Sequence, residues 1–268
     1  MYKLIAIDMD GTLLNKEGKI SKKNRQAINK ATENGVKVVI TTGRSFSGIE
    51  RFLDELGLNK QGEYALVCNG GAAYNCYTRE VITSVGLKGK DLHIINEINK
   101  GLNLKIQAYT LDLCFANEEN KFTKFEREHI GSKIEIIDFC KDIKEDDDIM
   151  KVLLLEEPEI LDEKIKMLPE EIKERYALVK SLPMTLEIMN KECNKGFGLE
   201  KLIKELGVKR EEVVSIGDEQ NDFEMIKFAG LGVAMGNASE KIKEIADYIT
   251  KTNEEDGVAH VIEKFVLN

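Results

Sequence analysis

The segment Leu4–Thr12, with the sequence LIAIDMDGT, carries the clearest structural signal in the chain. Its four leading apolar residues predict a strand that is buried on both faces. Asp8 and Asp10 follow directly, and in extended backbone their side chains point the same way because side chains repeat every two residues. Two adjacent carboxylates at the end of a buried strand are costly unless a cation or a proton compensates them. The segment therefore predicts a central strand with a charged site at its end.

Strands and helices alternate outward from this first strand. Residues 21–34 predict a helix capped by Ser21 and ended by Gly35, and residues 45–58 predict a second helix. Apolar runs with β-branched residues predict the next strands. The last third of the chain shows the same alternation of predicted helices and strands. These predicted elements are strands at 36–40, 64–68, 213–216 and 232–234, and helices at 195–206, 222–229 and 240–246.

Between the two outer thirds the pattern changes to hairpin-like alternation mixed with helices, from about residue 83 to residue 189. Strand and helix alternation with nearly continuous apolar strands predicts a parallel sheet covered on both faces. We therefore predict an α/β protein with a Rossmann-like, doubly wound parallel-sheet core formed by residues 1–82 and 190–268. An α/β cap domain, residues 83–189, is inserted into this core.

Composition excludes several classes of protein. The 268 residues include 39 Lys and Arg against 48 Asp and Glu, which gives a net charge of -9 without any basic block. Such a chain repels polyanions, so nucleic acid and anionic membrane are not expected partners. No apolar stretch is long enough to span a bilayer. The expectation is an unprocessed, cytoplasmic protein, a monomer or small homo-oligomer, in which the sequon Asn237-Ala238-Ser239 is a chance match.

Polar residues follow the predicted parallel strands at their carboxyl ends, where ligands bind in such sheets. Asp218 follows a later strand and supplies a third carboxylate beside Asp8 and Asp10, a set of oxygen ligands that suits Mg²⁺. Four other groups complement a tetrahedral dianion and predict a phosphate clamp. They are the Thr42 hydroxyl, the Gly43 N–H, the Lys195 ammonium and the Asn221 amide.

With a phosphate held in this clamp, the two aspartates form a complete catalytic pair. Asp8 attacks phosphorus in line to give an aspartyl-phosphate, and Asp10 protonates the leaving oxygen and then deprotonates the hydrolytic water. Any one of these aspartates alone would be read as a turn former or a helix cap. The ordered set at successive strand ends favours the catalytic interpretation.

Four segments resemble, in order, the four motifs of the haloacid dehalogenase-like phosphatases. They are residues 8–14 (DMDGTLL), 42–44 (TGR), 195–196 (KG) and 217–222 (GDEQND). The long insertion between the second and third motifs is similar to the Cof-type branch with a class IIB cap, and in particular to YidA-type sugar-phosphate phosphatases. Further resemblance at 229–238 and 255–259 extends the likeness over nearly the whole chain. The resemblance implies Mg²⁺-dependent hydrolysis of small phosphorylated metabolites, typically sugar phosphates.

The resemblance also implies a role for each matching residue. Asp8 is the nucleophile and a metal ligand, and Asp10 is the acid/base, which also binds the metal through its backbone carbonyl. The Met9 N–H joins Thr42, Gly43, Lys195 and Asn221 in contacting phosphate. Asp218 binds the metal, and Asp222 binds it through water or supports another ligand. Arg44 and Asn69 are candidates for substrate contact, with a surface arginine at a helix start and a turn asparagine as the structural alternatives.

Two other functions remain open at this stage. A phosphomutase of the same superfamily would use the same motifs but would protect its aspartyl-phosphate from water. A non-catalytic sugar-phosphate sensor would need neither a nucleophile nor a proton shuttle, so the presence of both Asp8 and Asp10 argues against it.

Overall fold

A computed structural model describes residues 1–111, 113–130 and 133–267. The chain divides into two compact units. The split unit comprises Met1–Ser84 and Asn194–Asn268, and the inserted unit comprises Val85–Cys193. The sequence predicted that the inserted unit spans residues 83–189, and in the structure it spans Val85–Cys193. In the described part of the chain, no helix has the length and apolar character needed to cross a membrane.

The strands of both units are numbered in chain order. They are β1 Leu4–Asp8, β2 Lys37–Thr41, β3 Tyr64–Val67, β4 Ala72–Asn75, β5 Val81–Ser84, β6 Leu87–Lys88, β7 Lys105–Tyr109, β8 Cys114–Ala116, β9 Ile134–Ile136, β10 Asp148–Ile149, β11 Lys151–Leu155, β12 Tyr176–Leu182, β13 Thr185–Asn190, β14 Val213–Gly217, β15 Leu231–Ala234 and β16 Tyr248–Ile249.

The α-helices are numbered in the same way. They are α1 Lys22–Glu33, α2 Glu50–Leu56, α3 Gly89–Leu102, α4 Lys121–Phe125, α5 Phe139–Asp142, α6 Pro158–Lys166, α7 Glu170–Arg175, α8 Lys195–Glu205, α9 Phe223–Phe228, α10 Glu240–Ile245 and α11 Gly257–Phe265.

The split unit is built on one eight-stranded sheet with the order β16-β15-β14-β1-β2-β3-β4-β5. The six strands from β16 to β3 pair in parallel, and all residues of β1 and β14 are buried. From β1 the chain moves through β2 to β3 on one side, and from β14 through β15 to β16 on the other. Right-handed crossovers in opposite directions place their helices on opposite faces. The predicted Rossmann-like, doubly wound core is confirmed.

Strands β4 and β5 extend this sheet by antiparallel pairing at the β3 edge. The sequence did not predict them. The second helix also differs from its prediction, because α2 begins at Glu50 and residues 45–49 form turns ahead of it. Ser and Gly in that stretch are poor helix formers, which explains the later start. By contrast, α1 matches its prediction, since the Ser21 side chain accepts a hydrogen bond from the Asn24 N–H at 3.0 Å.

The inserted unit contains a six-stranded sheet with the order β12-β13-β11-β7-β8-β9. All neighbours are antiparallel except β8 and β9. Alternate residues of the central strands, such as Ile106, Val152 and Ile188, are fully buried and pack in one apolar cluster with residues of α3, α6 and α7. This unit therefore has its own hydrophobic core and matches the predicted α/β cap.

Candidate active site

The site of the split unit lies at the carboxyl ends of three neighbouring parallel strands. In the sheet, β1 lies between β14 and β2, with Ile7 opposite both Ile216 and Ile40. The residues that follow these strands therefore meet at one edge. This is the edge at which open parallel sheets bind ligands.

Lys195 is the centre of the site. It lies in the first turn of α8, whose start is capped by Asn194 accepting from the Phe197 N–H at 2.8 Å. Its side chain is 0% exposed, and its ammonium donates to Asp8 Oδ1 at 2.5 Å and to Asp222 Oδ1 at 2.6 Å. A buried ammonium needs such partners, because desolvation of an unpaired charge is very costly. The structure thus brings together two motifs that are 187 residues apart in sequence.

Asp222 shapes the loop that presents Asp218. Its second oxygen, Oδ2, accepts hydrogen bonds from the backbone N–H groups of Asp218 at 2.9 Å and Glu219 at 3.1 Å. The Asp218 carboxylate in turn accepts from the Thr12 hydroxyl at 2.8 Å. Gly11 makes this approach possible, because a Cβ at that position would lie 2.3 Å from Asp218 Oδ2. Sequence reasoning did not single out Thr12 or the need for glycine here.

Burial dominates the electrostatics of the carboxylates. Desolvation raises the pKa of Asp8 to about 8 against the lowering effect of Lys195, and desolvation raises the pKa of Asp218 to about 6. Burial alone would lower the pKa of the Lys195 ammonium, but Asp8 and Asp222 outweigh it, so that pKa is raised. Lys195 therefore stays charged. Its single positive charge does not fully offset the negative charge of the buried carboxylates, and the pKa values of Asp8 and Asp218 stay raised.

The same carboxylates suit a divalent cation. One oxygen from each of Asp8, Asp218 and Asp222 lies within 4.8 Å of the others, and all three residues are buried. One lysine against three carboxylates leaves two formal negative charges. A hard cation with a preference for oxygen ligands, such as Mg²⁺, matches both the charge and the donor set.

Asp10 lies outside this buried cluster. Its side chain is 58% exposed and forms a bidentate ion pair with Arg44, with Nε–Oδ2 at 2.9 Å and Nη2–Oδ1 at 2.6 Å. Asp8 and Asp10 are thus close in sequence but differ in environment. The buried carboxylate is held in place, whereas the exposed one can exchange partners.

The predicted phosphate-binding residues Thr42, Gly43 and Asn221 follow β2 and β14, the two strands that neighbour β1. Thr42 is buried, and its hydroxyl accepts from the Arg44 N–H at 3.2 Å. Gly43 lies against Asn69, whose side-chain oxygen would be 3.1 Å from a Cβ at that glycine. Asn221 donates to the same Asn69 oxygen at 3.1 Å. Asn69 lies in the turn after β3, and from that turn its side chain contacts residues of the predicted clamp. Its contact with substrate stays a prediction.

Met9 directly follows the nucleophile candidate Asp8. Its side chain is 0% exposed, so the chain is anchored in the core immediately after Asp8. A phosphate contact by the Met9 N–H stays a prediction.

This fold and site define a class of protein. The chain belongs to the haloacid dehalogenase-like hydrolases, whose family profile matches residues 5–262. The family resemblance seen in the sequence is confirmed. The more specific likeness to YidA-type enzymes stays a prediction.

Individual relatives agree with this assignment. YxeH of Bacillus subtilis (strain 168) is 38% identical over 273 residues, covering 100% of this chain and 99% of YxeH. The 5-amino-6-(5-phospho-D-ribitylamino)uracil phosphatase YcsE of the same organism is 38% identical over 265 residues, covering 99% of this chain and 96% of YcsE. A haloacid dehalogenase-like hydrolase from Bacteroides thetaiotaomicron superimposes with a TM-score of 0.82 at 34% identity, covering 98% of this chain and 99% of that one. The protein is a phosphatase of this family.

Proposed function

We propose that the protein is a Mg²⁺-dependent phosphatase that hydrolyses small phosphorylated metabolites, most readily sugar phosphates, through an aspartyl-phosphate at Asp8. The observation that carries the proposal is the fully buried Lys195, which holds Asp8 at the end of β1 next to Asp218 and Asp222. Binding alone does not require a carboxylate fixed in this way. A nucleophile does, because a nucleophile that is already oriented avoids part of the entropic cost of reaction.

The phosphate is bound by groups already at the strand ends. The Thr42 hydroxyl, the Gly43 and Met9 N–H groups and the Asn221 amide donate to its oxygens, and Lys195 contributes positive charge. Asp8, Asp218 and the Asp10 carbonyl would hold Mg²⁺, with Asp222 orienting Asp218 through the backbone. When bound, Mg²⁺ supplies positive charge that offsets the carboxylates and the phosphoryl oxygens.

Hydrolysis then proceeds in two steps. In the first, an Asp8 oxygen forms a bond to phosphorus as the bond to the leaving oxygen breaks, and Asp10 gives that oxygen a proton. In the second, water attacks phosphorus, Asp10 takes a proton from the water, and the bond between phosphorus and Asp8 breaks. Asp10 ends protonated, as it began, and Asp8 is regenerated.

Arg44 connects substrate binding with the acid/base. Its guanidinium forms a bidentate pair with Asp10, and phosphate oxygens are equally good bidentate partners for arginine. A bound phosphate group therefore competes with Asp10 for Arg44. This exchange would free the Asp10 carboxylate to take up a proton from solvent, and that proton is the one given to the leaving oxygen in the first step.

Two observations support the proposed substrate class, namely the lack of a basic block in the sequence and the name of one relative. A net charge of -9 disfavours polyanionic substrates, whereas a small dianion needs only the local clamp. The name of YcsE gives that relative a substrate in which the phosphate sits on a ribityl chain. Small polyhydroxylated phosphates are therefore the substrates to test first. A cytoplasmic location, a monomer or small homo-oligomer, and the lack of nucleic-acid or membrane partners stay predictions.

A phosphatase screen tests this function. We expect the purified protein to release inorganic phosphate from one or more members of a panel of sugar phosphates, sugar-alcohol phosphates and 5-amino-6-(5-phospho-D-ribitylamino)uracil. Release should stop with EDTA and return with excess Mg²⁺, because three buried carboxylates need a divalent cation. Asp8→Asn protein purified in parallel controls for contaminating phosphatases.

The outcome separates the alternatives. Movement of phosphate between positions of a sugar without release of inorganic phosphate would indicate a phosphomutase. Saturable binding of sugar phosphates without either reaction would indicate a sensor. Either result would contradict the proposal.

The excess of negative charge on the three buried carboxylates leads to a second prediction, which concerns the stability of the metal-free protein. Asp218→Asn should raise the melting temperature of EDTA-treated protein, by roughly 2–4 °C for each kcal/mol of strain relieved. Because the folded-state pKa of Asp218 is raised from 3.8 to about 6, the wild-type protein loses stability as pH rises through that range. The gain in melting temperature from Asp218→Asn should therefore be absent below about pH 3.8 and complete above about pH 6.

Differential scanning calorimetry with EDTA and with Mg²⁺ checks this result. Asp218→Asn should also reduce the Mg²⁺-induced rise in melting temperature. Asp247→Asn is the matched control, since Asp247 accepts from the Gly232 N–H at 2.8 Å and is not in the carboxylate cluster. A metal-free Asp218→Asn protein less stable than wild type at pH 8 would contradict the electrostatic account.

A further inference from the structure

Three loops of the split unit meet beside the metal-ligand candidate Asp218. One follows β1, one follows β15 and one follows β16. The contacts between them come largely from two asparagines, Asn237 and Asn253. Neither has a role in the function proposed above. In the sequence, Asn237 belongs to the segment 229–238 that resembles the family and to a chance glycosylation match, but no role was predicted for it.

Asn237 has a fixed orientation. Its Oδ1 accepts from the backbone N–H of Asn253 at 2.9 Å, and its Nδ2 donates to the Gly11 carbonyl at 2.8 Å. A backbone N–H can only donate and a carbonyl can only accept, so the two ends of the amide cannot be exchanged. The same Nδ2 lies 3.5 Å from Asp218 Oδ2. Its second hydrogen is therefore available to the metal-ligand candidate.

Together with Thr12, Asn237 gives each oxygen of Asp218 a donor. The Thr12 hydroxyl lies 2.8 Å from Oδ1, and Asn237 Nδ2 faces Oδ2. A carboxylate held at both oxygens has its rotation about the side chain restricted. Such outer contacts fix the direction in which a metal ligand presents its lone pairs.

Asn253 makes a second contact to the loop after β1. Its Nδ2 donates to the Leu14 carbonyl at 2.9 Å, while Asn237 holds the Gly11 carbonyl. The two asparagines thus fix both ends of the turn that follows Asp10. Gly11 has a φ of +84° and no room for a side chain beside Asp218, so the turn cannot supply these contacts itself.

We infer that Asn237 is a positioning residue for the Asp218 ligand and that Asn253 acts through it. The pair aligns the Asp218 carboxylate with the turn after Asp10, so that the site binds Mg²⁺ with little reorganisation. This inference rests on the proposed Mg²⁺ dependence. A purely structural role is disfavoured because Asn237 is exposed, and hydrogen bonds of exposed groups contribute little to folding.

Mg²⁺ binding to the protein without substrate tests the inference. The melting temperature is measured over a Mg²⁺ titration for wild type, Asn237→Ala, Asn237→Asp and Asn253→Ala, and Mg²⁺ activation of hydrolysis is measured in parallel. We expect Asn237→Ala to raise the half-saturating Mg²⁺ concentration about 10-fold, the lower end of the range for such outer contacts. The melting temperature in EDTA should hardly change. The half-saturating Mg²⁺ concentration of Asn237→Asp should differ from that of wild type by at least as much as that of Asn237→Ala does. The reason is that aspartate replaces the donor that faces the Gly11 carbonyl by an acceptor.

A double mutant and a control variant make the test specific. Asn253→Ala should add little in the Asn237→Ala background, because the Asn253 side chain, bonded to the Leu14 carbonyl, acts by holding the Asn253 backbone N–H from which Asn237 accepts. Asn24→Ala is the control, since Asn24 is a buried asparagine of the same unit that accepts from the Ala259 N–H at 2.9 Å. It should lower the melting temperature in EDTA but keep the wild-type Mg²⁺ half-saturation.

The Mg²⁺ titrations distinguish failure of the Asn237 inference from failure of the proposed function. If wild type responds to Mg²⁺ and Asn237→Ala responds at the same concentration, the inference is overturned and the proposed function stands. If wild type shows no response to Mg²⁺ in stability or in activity, both are overturned.

Discussion

Asp8→Asn is expected to abolish phosphate release, a loss on the order of 10⁶-fold, which is the size seen when a covalent nucleophile is removed. Asp8 is 4% exposed at the end of β1, and its Oδ1 is held by the Lys195 ammonium at 2.5 Å. The amide of asparagine has nearly the same shape but a neutral, much weaker nucleophile. The fold should therefore be kept while the first chemical step is lost.

Single-turnover phosphate release by purified variant and wild type measures this effect. Circular dichroism and melting temperature should be close to wild type, because the neutral form of residue 8 is the one that burial favours. Turnover by Asp8→Asn at the wild-type rate would exclude Asp8 as the nucleophile.

Asp10→Asn is expected to slow hydrolysis of sugar phosphates by about 10²–10⁴-fold, the usual contribution of a general acid/base. Asparagine cannot donate a proton to the alkoxide that leaves in the first step. An aryl phosphate with an acidic phenol leaves without that proton. The first step with an aryl substrate should therefore be much less affected than with a sugar phosphate.

Rapid-quench kinetics with both substrates resolves the two steps. Since Asp10 also activates water, the second step should be slow with either leaving group. Arg44→Lys is an informative companion, because it keeps the positive charge next to Asp10 but loses the bidentate geometry. An unchanged rate for Asp10→Asn on sugar phosphates would mean that the proton comes from another group.

Much of this site could be predicted because its residues follow strands that the sequence marks clearly. Asp8 and Asp218 come directly at the ends of apolar runs, and the parallel order of the strands brings such ends to one edge. Lys195 was predicted as a positive charge of the phosphate clamp, from its place at a helix start and from the resemblance of residues 195–196 to a family motif. The structure adds that it bridges Asp8 and Asp222 and is completely buried.

Other contacts could not be predicted, because side chains far apart in sequence make them. The Arg44–Asp10 ion pair joins two loops, and Asn237 reaches Gly11 across 226 residues. Hydrophobic periodicity reports which face of an element is buried, but it carries no information on which loops meet. A polar residue such as Asn237 therefore looks like any exposed asparagine until the fold places it.

The missed strands β4 and β5 have a similar explanation. They follow a turn at residues 68–70, all of which have positive φ, so the chain reverses direction directly after β3. The short strand Ala72–Asn75 has no strong alternation, and Val81–Ser84 is only half-buried. Short strands with weak patterns become visible only through their pairing partners.

The most direct test of the central claim is to locate the phosphoryl group on the enzyme. Asp10→Asn protein mixed with an activated aryl phosphate and Mg²⁺ should accumulate a phosphorylated form, because the first step proceeds and the hydrolysis of the intermediate is slow. Intact-mass and peptide mass spectrometry after acid quench should place one phosphoryl group on the peptide that contains Asp8, and none on the Asp8→Asn/Asp10→Asn double variant. Turnover without any phosphorylated protein, or a phosphoryl group on a different residue, would contradict the account.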